Sequence, residues 1–188
     1  MNDKLFHRLL DVIEKDIVPL TAGGVEEGSR VFGAAVLRRG DLSLVVAETN
    51  RAAVSPLWHG EVYTIKLFYE LLGHPDPGEC VFLATHQPCC MCAAALAWSG
   101  FREIYYLFGY EHTRNAFDMP HDLEMNREIF GCDEPKPKNA YFEWHSLYAA
   151  AEELSDSKEA KKRLAAISKT YEGLAARVGM KESGSIVI

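Results

Sequence analysis

Apolar positions recur along the chain at two spacings, and each spacing predicts one type of element. Residues 3–20 carry apolar side chains at helical spacing, which predicts one amphipathic helix. Short apolar runs at 31–38, 42–48, 80–85 and 103–109 are typical of buried strands. The first two runs flank a glycine-containing turn. They therefore predict a β-hairpin.

Two further helices are predicted between these strands. One begins at His59 and ends at Gly73, and the other begins at Pro88 and ends at Gly100. Residues 49–58 lie between the hairpin and the first of these helices and predict a loop. In the last third of the chain, the pattern predicts a helix, a strand and two helices at 122–130, 140–144, 145–154 and 157–178.

The order of these elements predicts an α/β fold. Strands that alternate with helices favour parallel pairing, and the hairpin adds an antiparallel pair. We therefore expect a three-layer α/β/α sandwich with a central mixed sheet of about five strands. Residues 1–188 are predicted to form a single domain, with a helical C-terminal extension at about 145–180.

Charge, apolar runs and cysteine usage narrow the class of protein. Lys and Arg total 20 against 27 for Asp and Glu, a net charge of −7 that argues against a nucleic-acid partner. No apolar run approaches the length of a membrane span, so no membrane association is expected. The N-terminus is amphipathic and acidic, unlike a signal peptide. Five cysteines without secreted-scaffold spacing favour a reducing cytoplasm.

Two short motifs, about thirty positions apart, carry the chemistry. His59-Gly60-Glu61 reads H-x-E, and residues 88–92 read P-C-x-x-C. Together they supply one imidazole and two thiolates, from His59, Cys89 and Cys92. Three such ligands are typical of a catalytic zinc site, where the fourth position stays open. The sequence therefore predicts that the protein binds Zn²⁺.

The spacing within each motif assigns further roles. Cys89 and Cys92 lie on one side of a helical turn, at a helix N-terminus that stabilises thiolates. Glu61 is too close in sequence to His59 to be a good fourth ligand. It is predicted to be the catalytic residue that takes a proton from zinc-bound water and delivers protons to the substrate.

The chain resembles the cytidine deaminase-like superfamily of zinc-dependent deaminases over residues 31–130. Its H-x-E and P-C-x-x-C pair is the known signature of these enzymes. FGAAVLRRGD, HGEVYTI and QPCCMCAAALAWSGFREIYY are similar to the family's hairpin and metal-binding segments. Glu111-His112-Thr113 and Phe117-Asp118 resemble stretches of guanine deaminases. Within the family, the chain is most similar to small bacterial guanine deaminases and tRNA-adenosine-deaminase-like proteins.

This resemblance implies an activity and a set of substrate contacts. We expect hydrolytic deamination of a small nitrogen heterocycle, most simply guanine: zinc-bound hydroxide attacks the amidine carbon and ammonia leaves. Asn50 occupies the position of the family's base-binding asparagine, and Asp118 is a second candidate for a hydrogen bond to substrate. Trp58 either packs in the core or provides a stacking wall for a planar ring. Relatives are commonly dimers, which implies a homodimer here.

Several departures and alternatives leave the substrate open. The family's D-P-T-A before the histidine is Ser55-Pro56-Leu57-Trp58 here, Gln87 replaces a glutamate, and Gly60 replaces the more common alanine. Cytosine, a nucleoside, another aminopurine or a pterin is an alternative substrate, and a tRNA loop is another. A structural zinc module would need a fourth ligand such as Cys80, Cys132 or His86. A thiol redox site would use Cys89 and Cys92 without His59.

Overall fold

Five strands form one mixed sheet at the centre of the protein. The computed structural model describes residues 1–112 and 121–182, and of these all side chains except those of 121–123 and 179–182. The strands are β1 Gly33–Arg38, β2 Leu44–Thr49, β3 Cys80–His86, β4 Glu103–Phe108 and β5 Glu143–Ser146. The α-helices are α1 Asp3–Val12, α2 Val18–Glu26, α3 Gly60–Glu70, α4 Cys90–Trp98, α5 His121–Phe130, α6 Leu147–Ala151 and α7 Ser157–Glu182.

The strand order is β2-β1-β3-β4-β5. β1 pairs antiparallel with both β2 and β3, and β3, β4 and β5 pair in parallel. The mixed five-stranded sheet confirms the predicted fold class. The expected parallel pairing holds for the β3-α4-β4 passage. In the β2-α3-β3 passage the two strands run in the same direction, but β1 lies between them, so they do not pair.

Alternating residues of the sheet pack into two separate apolar layers. On one face, Leu83 and its neighbours join a buried cluster with α1, α6 and α7. On the other face, Phe82 joins a second cluster with Phe68 of α3 and Leu96 of α4. Helices therefore cover both faces of the sheet, as the predicted three-layer sandwich requires.

The N-terminal helical segment is longer than predicted. A π-helical turn at Ile13–Ile17 connects α1 to α2, just before Pro19, which has no N–H to donate to the preceding turn. α2 then continues through Gly23 and Gly24, although glycines favour a loop. A Cβ on Gly24 would lie 3.0 Å from Thr49 Cγ2, so the glycine allows α2 to pack closely against the end of β2. Tertiary packing overrides local preference here.

Two other boundaries differ from the predictions. The last strand is Glu143–Ser146, later than the predicted 140–144. The helix after it begins at Leu147, because the side chain of its N-cap, Ser146, accepts a hydrogen bond from the backbone N–H of Ala149, and it ends at Ala151. In the hairpin turn, Leu42 has a positive φ of 61°, whereas Gly40 does not have a positive φ. None of the helices in the described part of the chain is long and apolar enough to cross a membrane.

Candidate active site

Two helix N-termini meet at one edge of the sheet. β2 and β3 run in the same direction, so their carboxyl ends lie at the same edge. α3 follows β2 through the loop at 50–58, and α4 follows β3 directly. His59 is the N-cap residue of α3, and Cys89 is the N-cap residue of α4. The topology therefore brings the two sequence motifs together.

The three predicted metal ligands form a compact triangle. The two sulfurs of Cys89 and Cys92 lie 3.5 Å apart, and His59 Nδ1 lies 3.6 Å from each. Tetrahedral zinc with bonds of about 2.3 Å to sulfur and about 2.0 Å to nitrogen requires ligand separations of about 3.5–3.8 Å. The triangle therefore fits one face of a zinc tetrahedron. The donor set and its geometry both match zinc.

The environment of the triangle favours thiolates. A hydrogen bond with Cys92 and the nearby His59 lower the pKa of Cys89 to about 4, against the opposing effect of burial. The N-terminus of α4 adds a positive partial charge at the same place. Metal-binding cysteines must lose their protons, so the fold prepares these sulfurs for zinc.

The described residues supply no fourth protein ligand. Among them, His59, Cys89 and Cys92 are the one group of three or more His, Cys, Asp or Glu side chains that could hold a metal ion. Cys80 begins β3, about 20 Å from the end of that strand. Cys132 is exposed beyond α5, and His86 packs against Phe108. The described residues therefore form the three-ligand arrangement of catalytic zinc sites.

A glycine contact sets the position of α3. A Cβ on Gly60 would lie 2.7 Å from Phe32 O and 2.9 Å from Gly33 Cα, closer than real Cβ atoms approach. α3 thus begins directly against the backbone of β1. This contact gives a physical reason for glycine within the H-x-E motif, since alanine would push away the helix start that carries His59.

Glu61 lies in the first turn of α3 and is 5% exposed. A buried carboxyl group two residues from a metal ligand is unusual for a helix surface. The positive end of the helix stabilises its ionised form. Its predicted catalytic role remains a prediction.

Asn50 is buried directly after β2. Its side-chain carbonyl accepts hydrogen bonds from the backbone N–H groups of Ala52 at 2.9 Å and Arg30 at 3.3 Å. Its own backbone N–H donates to Phe32 O at 2.6 Å. These bonds fix the orientation of the side-chain amide, with its carbonyl towards the loop. Substrate contact by Asn50 stays a prediction.

Of the other two residues predicted to contact the substrate, Trp58 and Asp118, the structure describes only Trp58. The half-buried ring of Trp58 packs 5.3 Å from the Tyr63 ring, and Lys66 Nζ lies 6.0 Å above it. Both partners are on α3, so the structure places Trp58 beside this helix. Asp118 lies outside the described residues. Neither role is tested by these positions.

Phe32 is a site residue that the sequence analysis missed. Its ring is nearly parallel to the His59 imidazole, with 6.4 Å between centroids and 18° between planes. It therefore provides a flat apolar surface beside a metal ligand. Its position directly before β1, at the same edge as both helix starts, was the signal that could have identified it.

Comparison with known proteins agrees with this geometry. Residues 17–108 match the family model described as the cytidine and deoxycytidylate deaminase zinc-binding region. The guanine deaminase of Bacillus subtilis (strain 168) is 29% identical over 118 residues, which cover 61% of this chain and 73% of that protein. The predicted zinc cofactor is confirmed by the family match together with the ligand triangle.

Two further comparisons extend the similarity. A probable cytosine deaminase of Schizosaccharomyces pombe is 22% identical over 123 residues, 63% of this chain and 74% of that protein. The X-ray structure of the Bacillus subtilis guanine deaminase superposes with a TM-score of 0.53 and 25% identity. This superposition covers 74% of this chain and 82% of the other.

Proposed function

Because the chain belongs to the cytidine deaminase-like superfamily of zinc-dependent deaminases, which are hydrolases that act on C–N bonds, we propose that it deaminates a small nitrogen heterocycle. Guanine is the substrate that we rank first. The observation that carries this proposal is the triangle of His59, Cys89 and Cys92, with the buried Glu61 two residues away. Such a site combines a metal with a proton carrier, the two components that hydrolytic deamination needs.

Glu61 acts as the proton carrier in this proposal. Bound zinc supplies Lewis-acid chemistry that brings the ionisation of water close to neutral pH. Glu61 accepts one proton from the attacking water and donates it to a ring nitrogen, and then takes the second proton from the added hydroxyl and delivers it to the departing amine. Water adds to the ring carbon that bears the amino group, and ammonia leaves. The burial of Glu61 supports this role because it excludes competing bulk water.

Asn50 and Phe32 position the base. Since the Asn50 carbonyl is already bonded to backbone N–H groups, its NH₂ group is the one that donates to a substrate acceptor. Phe32 supplies an apolar surface for a planar ring next to the metal. Together they select flat heterocycles that carry a hydrogen-bond acceptor. Asp118 and Trp58 remain further candidates for substrate contact.

Guanine comes first because a curated relative is named guanine deaminase. Cytosine is the second candidate, supported by the probable cytosine deaminase of fission yeast and by the H-G-E form of the motif, which resembles fungal-type cytosine deaminases. The net charge of −7 argues against a tRNA substrate.

A substrate panel tests the proposal. The zinc-loaded protein is incubated with guanine, cytosine, other aminopurines, pterins, nucleosides and a tRNA anticodon stem, and ammonia release is measured. We expect the highest kcat/KM with guanine and none with the tRNA stem. Preference for cytosine would move the assignment to the second candidate. Absence of turnover with every compound would refute the proposed activity.

We further propose a cytoplasmic location and a homodimer. None of the five cysteines, all of which lie in the described part of the chain, forms a disulfide, which suits a reducing compartment. Large apolar side chains at the ends of α3 and α4, Leu72 and Trp98 among them, are exposed in the single chain. A second copy of the chain would cover them.

A further inference from the structure

The turn that carries Cys89 has few hydrogen bonds of its own. Gln87 and Pro88 connect β3 to α4, and Pro88 has no N–H group. Cys89, the N-cap of α4, contributes its sulfur to the metal site. The ligand turn, residues 87–89, therefore depends on partners outside it for a fixed position.

Tyr110 supplies two of these partners from just beyond the end of β4. Its hydroxyl donates to Pro88 O at 2.6 Å, and its backbone N–H donates to Gln87 Oε1 at 3.2 Å. A third bond, from Gln87 N to Phe108 O at 2.7 Å, extends the β3–β4 pairing into the turn. Tyr110 is 6% exposed, so these bonds lie in a low-dielectric environment where unsatisfied acceptors are costly.

Gln87 extends the network to a third segment. Its amide nitrogen donates to Glu134 Oε2 at 3.3 Å, while its carbonyl accepts from Tyr110. Gln87 is itself 6% exposed. One buried amide thus connects the ligand turn, the end of β4 and the segment after α5.

We propose that Tyr110 is a positioning residue of the zinc site: through Pro88 and Gln87 it fixes the turn that presents Cys89, and so retards the loss of zinc. Partners that orient metal ligands typically change metal affinity about 10–100-fold when they are removed. In this role Tyr110 acts through its hydrogen bonds to Pro88 and Gln87. The proposal rests on the zinc site and is independent of which base is deaminated.

The test compares two tyrosine-to-phenylalanine variants on the same strand and its extension. Tyr110→Phe keeps the ring but removes the bond to Pro88 O. Tyr105→Phe is the matched control, since Tyr105 is also buried but its hydroxyl donates to Glu103 at the other end of β4. The rate of zinc release into an excess of a chromogenic chelator is measured for each zinc-loaded protein.

We expect zinc release from Tyr110→Phe to be about 10–100-fold faster than from the parent. Tyr105→Phe should stay within about twofold, since it leaves the ligand turn unchanged. In excess zinc, Tyr110→Phe should recover its kcat with little change in KM, a rescue that a general loss of folding would not give. Release from Tyr110→Phe at the parent rate would overturn the proposal. Because release needs no substrate, this result is independent of the substrate panel.

A charge-swap pair tests the network from its other side. Gln87→Glu keeps an acceptor for the Tyr110 N–H but places a carboxylate against Glu134. We expect faster zinc release from this variant. Adding Glu134→Gln restores a donor–acceptor pair and should bring the rate back towards that of the parent. If the double variant releases zinc as fast as Gln87→Glu alone, Gln87 does not connect Glu134 to the turn, and this part of the network is refuted.

Discussion

At the scale of single residues, the proposed proton carrier Glu61 can be tested separately from the zinc ligands. We predict that Glu61→Gln retains zinc, because the His59, Cys89 and Cys92 triangle is unchanged, but loses about 10²–10⁴-fold in kcat, since the amide cannot carry the proton. Metal content by atomic absorption and ammonia release check both parts. Glu70→Gln, at the exposed end of the same helix, is the control and should keep full activity. Full turnover in Glu61→Gln would remove Glu61 from the mechanism.

His86 gives the protein a predictable sensitivity to acid. Burial, together with the charge of His112, lowers the pKa of His86 to about 3. In the unfolded chain the same group binds a proton below about pH 6.5, so the unfolded state holds more protons between these values. The contribution of His86 to stability is therefore complete above about pH 6.5 and is lost as the pH falls towards 3.

The variant His86→Leu isolates this effect. Between about pH 6.5 and pH 5, the free energy of unfolding of the parent should fall by about 2 kcal/mol more than that of the variant. Urea unfolding at both pH values, with equal zinc, measures the difference. Equal losses in the two proteins would show that His86 does not titrate as its burial requires.

The sequence identified the residues that short motifs make recognisable, and it missed the residues that only the folded structure places at the site. The metal ligands His59, Cys89 and Cys92 were predictable, because two short motifs contain both the ligand types and their spacing. Phe32 and Tyr110 were not predictable, because their proposed roles depend on a position that exists only where three strands end at one edge of the sheet. An ordinary phenylalanine or tyrosine carries no signal for that position. The roles of Asn50, Trp58 and Asp118 stay predictions.

At the scale of elements, α3 begins directly against the backbone at the start of β1. We predict that Gly60→Ala destabilises the protein by about 1–3 kcal/mol and weakens zinc binding, because the new Cβ would displace the helix start that carries His59. Urea unfolding and zinc competition with a chelator measure the two effects.

Gly23→Ala is the matched control for this substitution. Gly23 is also helical, in α2, but a Cβ there meets no atom within 4 Å. This change should stabilise the protein by about 0.5–1 kcal/mol through helix propensity. If Gly60→Ala behaved like Gly23→Ala, the close approach of α3 to β1 would not constrain the site.

Most elements were predictable because their apolar periodicity is strong. α3, α4 and the first four strands lie within a few residues of their predicted positions. The exceptions are places where long-range contacts decide. The helix through Gly23 and Gly24 exists because it packs against β2, and β1 separates β2 from β3 because sheet order is not encoded in local pattern. The apolar pattern along the sequence alone cannot predict either the helix through these glycines or the position of β1 in the sheet.

At the scale of the whole molecule, we propose that residues 1–188 fold as one domain with the C-terminal helices included. Leu164, Ile167 and Tyr171 of α7 belong to the same buried cluster as Leu9 and Ile13 of the N-terminal helical segment. Removal of α7 would expose that cluster. The helical extension is thus part of one layer of the sandwich in this proposal.

The surface at the ends of α3 and α4 makes the proposed homodimer testable. Trp98 is 92% exposed on the helix that carries the zinc ligands. We predict that the parent is a dimer by light scattering coupled to size-exclusion chromatography, and that Trp98→Lys shifts it to a monomer, since a charge would be buried at the contact. Val54→Lys, in an exposed position on the loop at 50–58, should leave the dimer intact. A monomeric parent would refute the dimer.

The loop at residues 51–58 is closed on itself. Its ends are joined by a bond from Arg51 N to Trp58 O at 2.9 Å, and Ser55 bonds within it to both Arg51 and Trp58. It joins Asn50 to His59 without any part in the metal triangle. Replacement of this segment during evolution could therefore change which heterocycle is bound while the three zinc ligands stay the same. Engineered loops of greater or smaller length at this position would serve the same purpose.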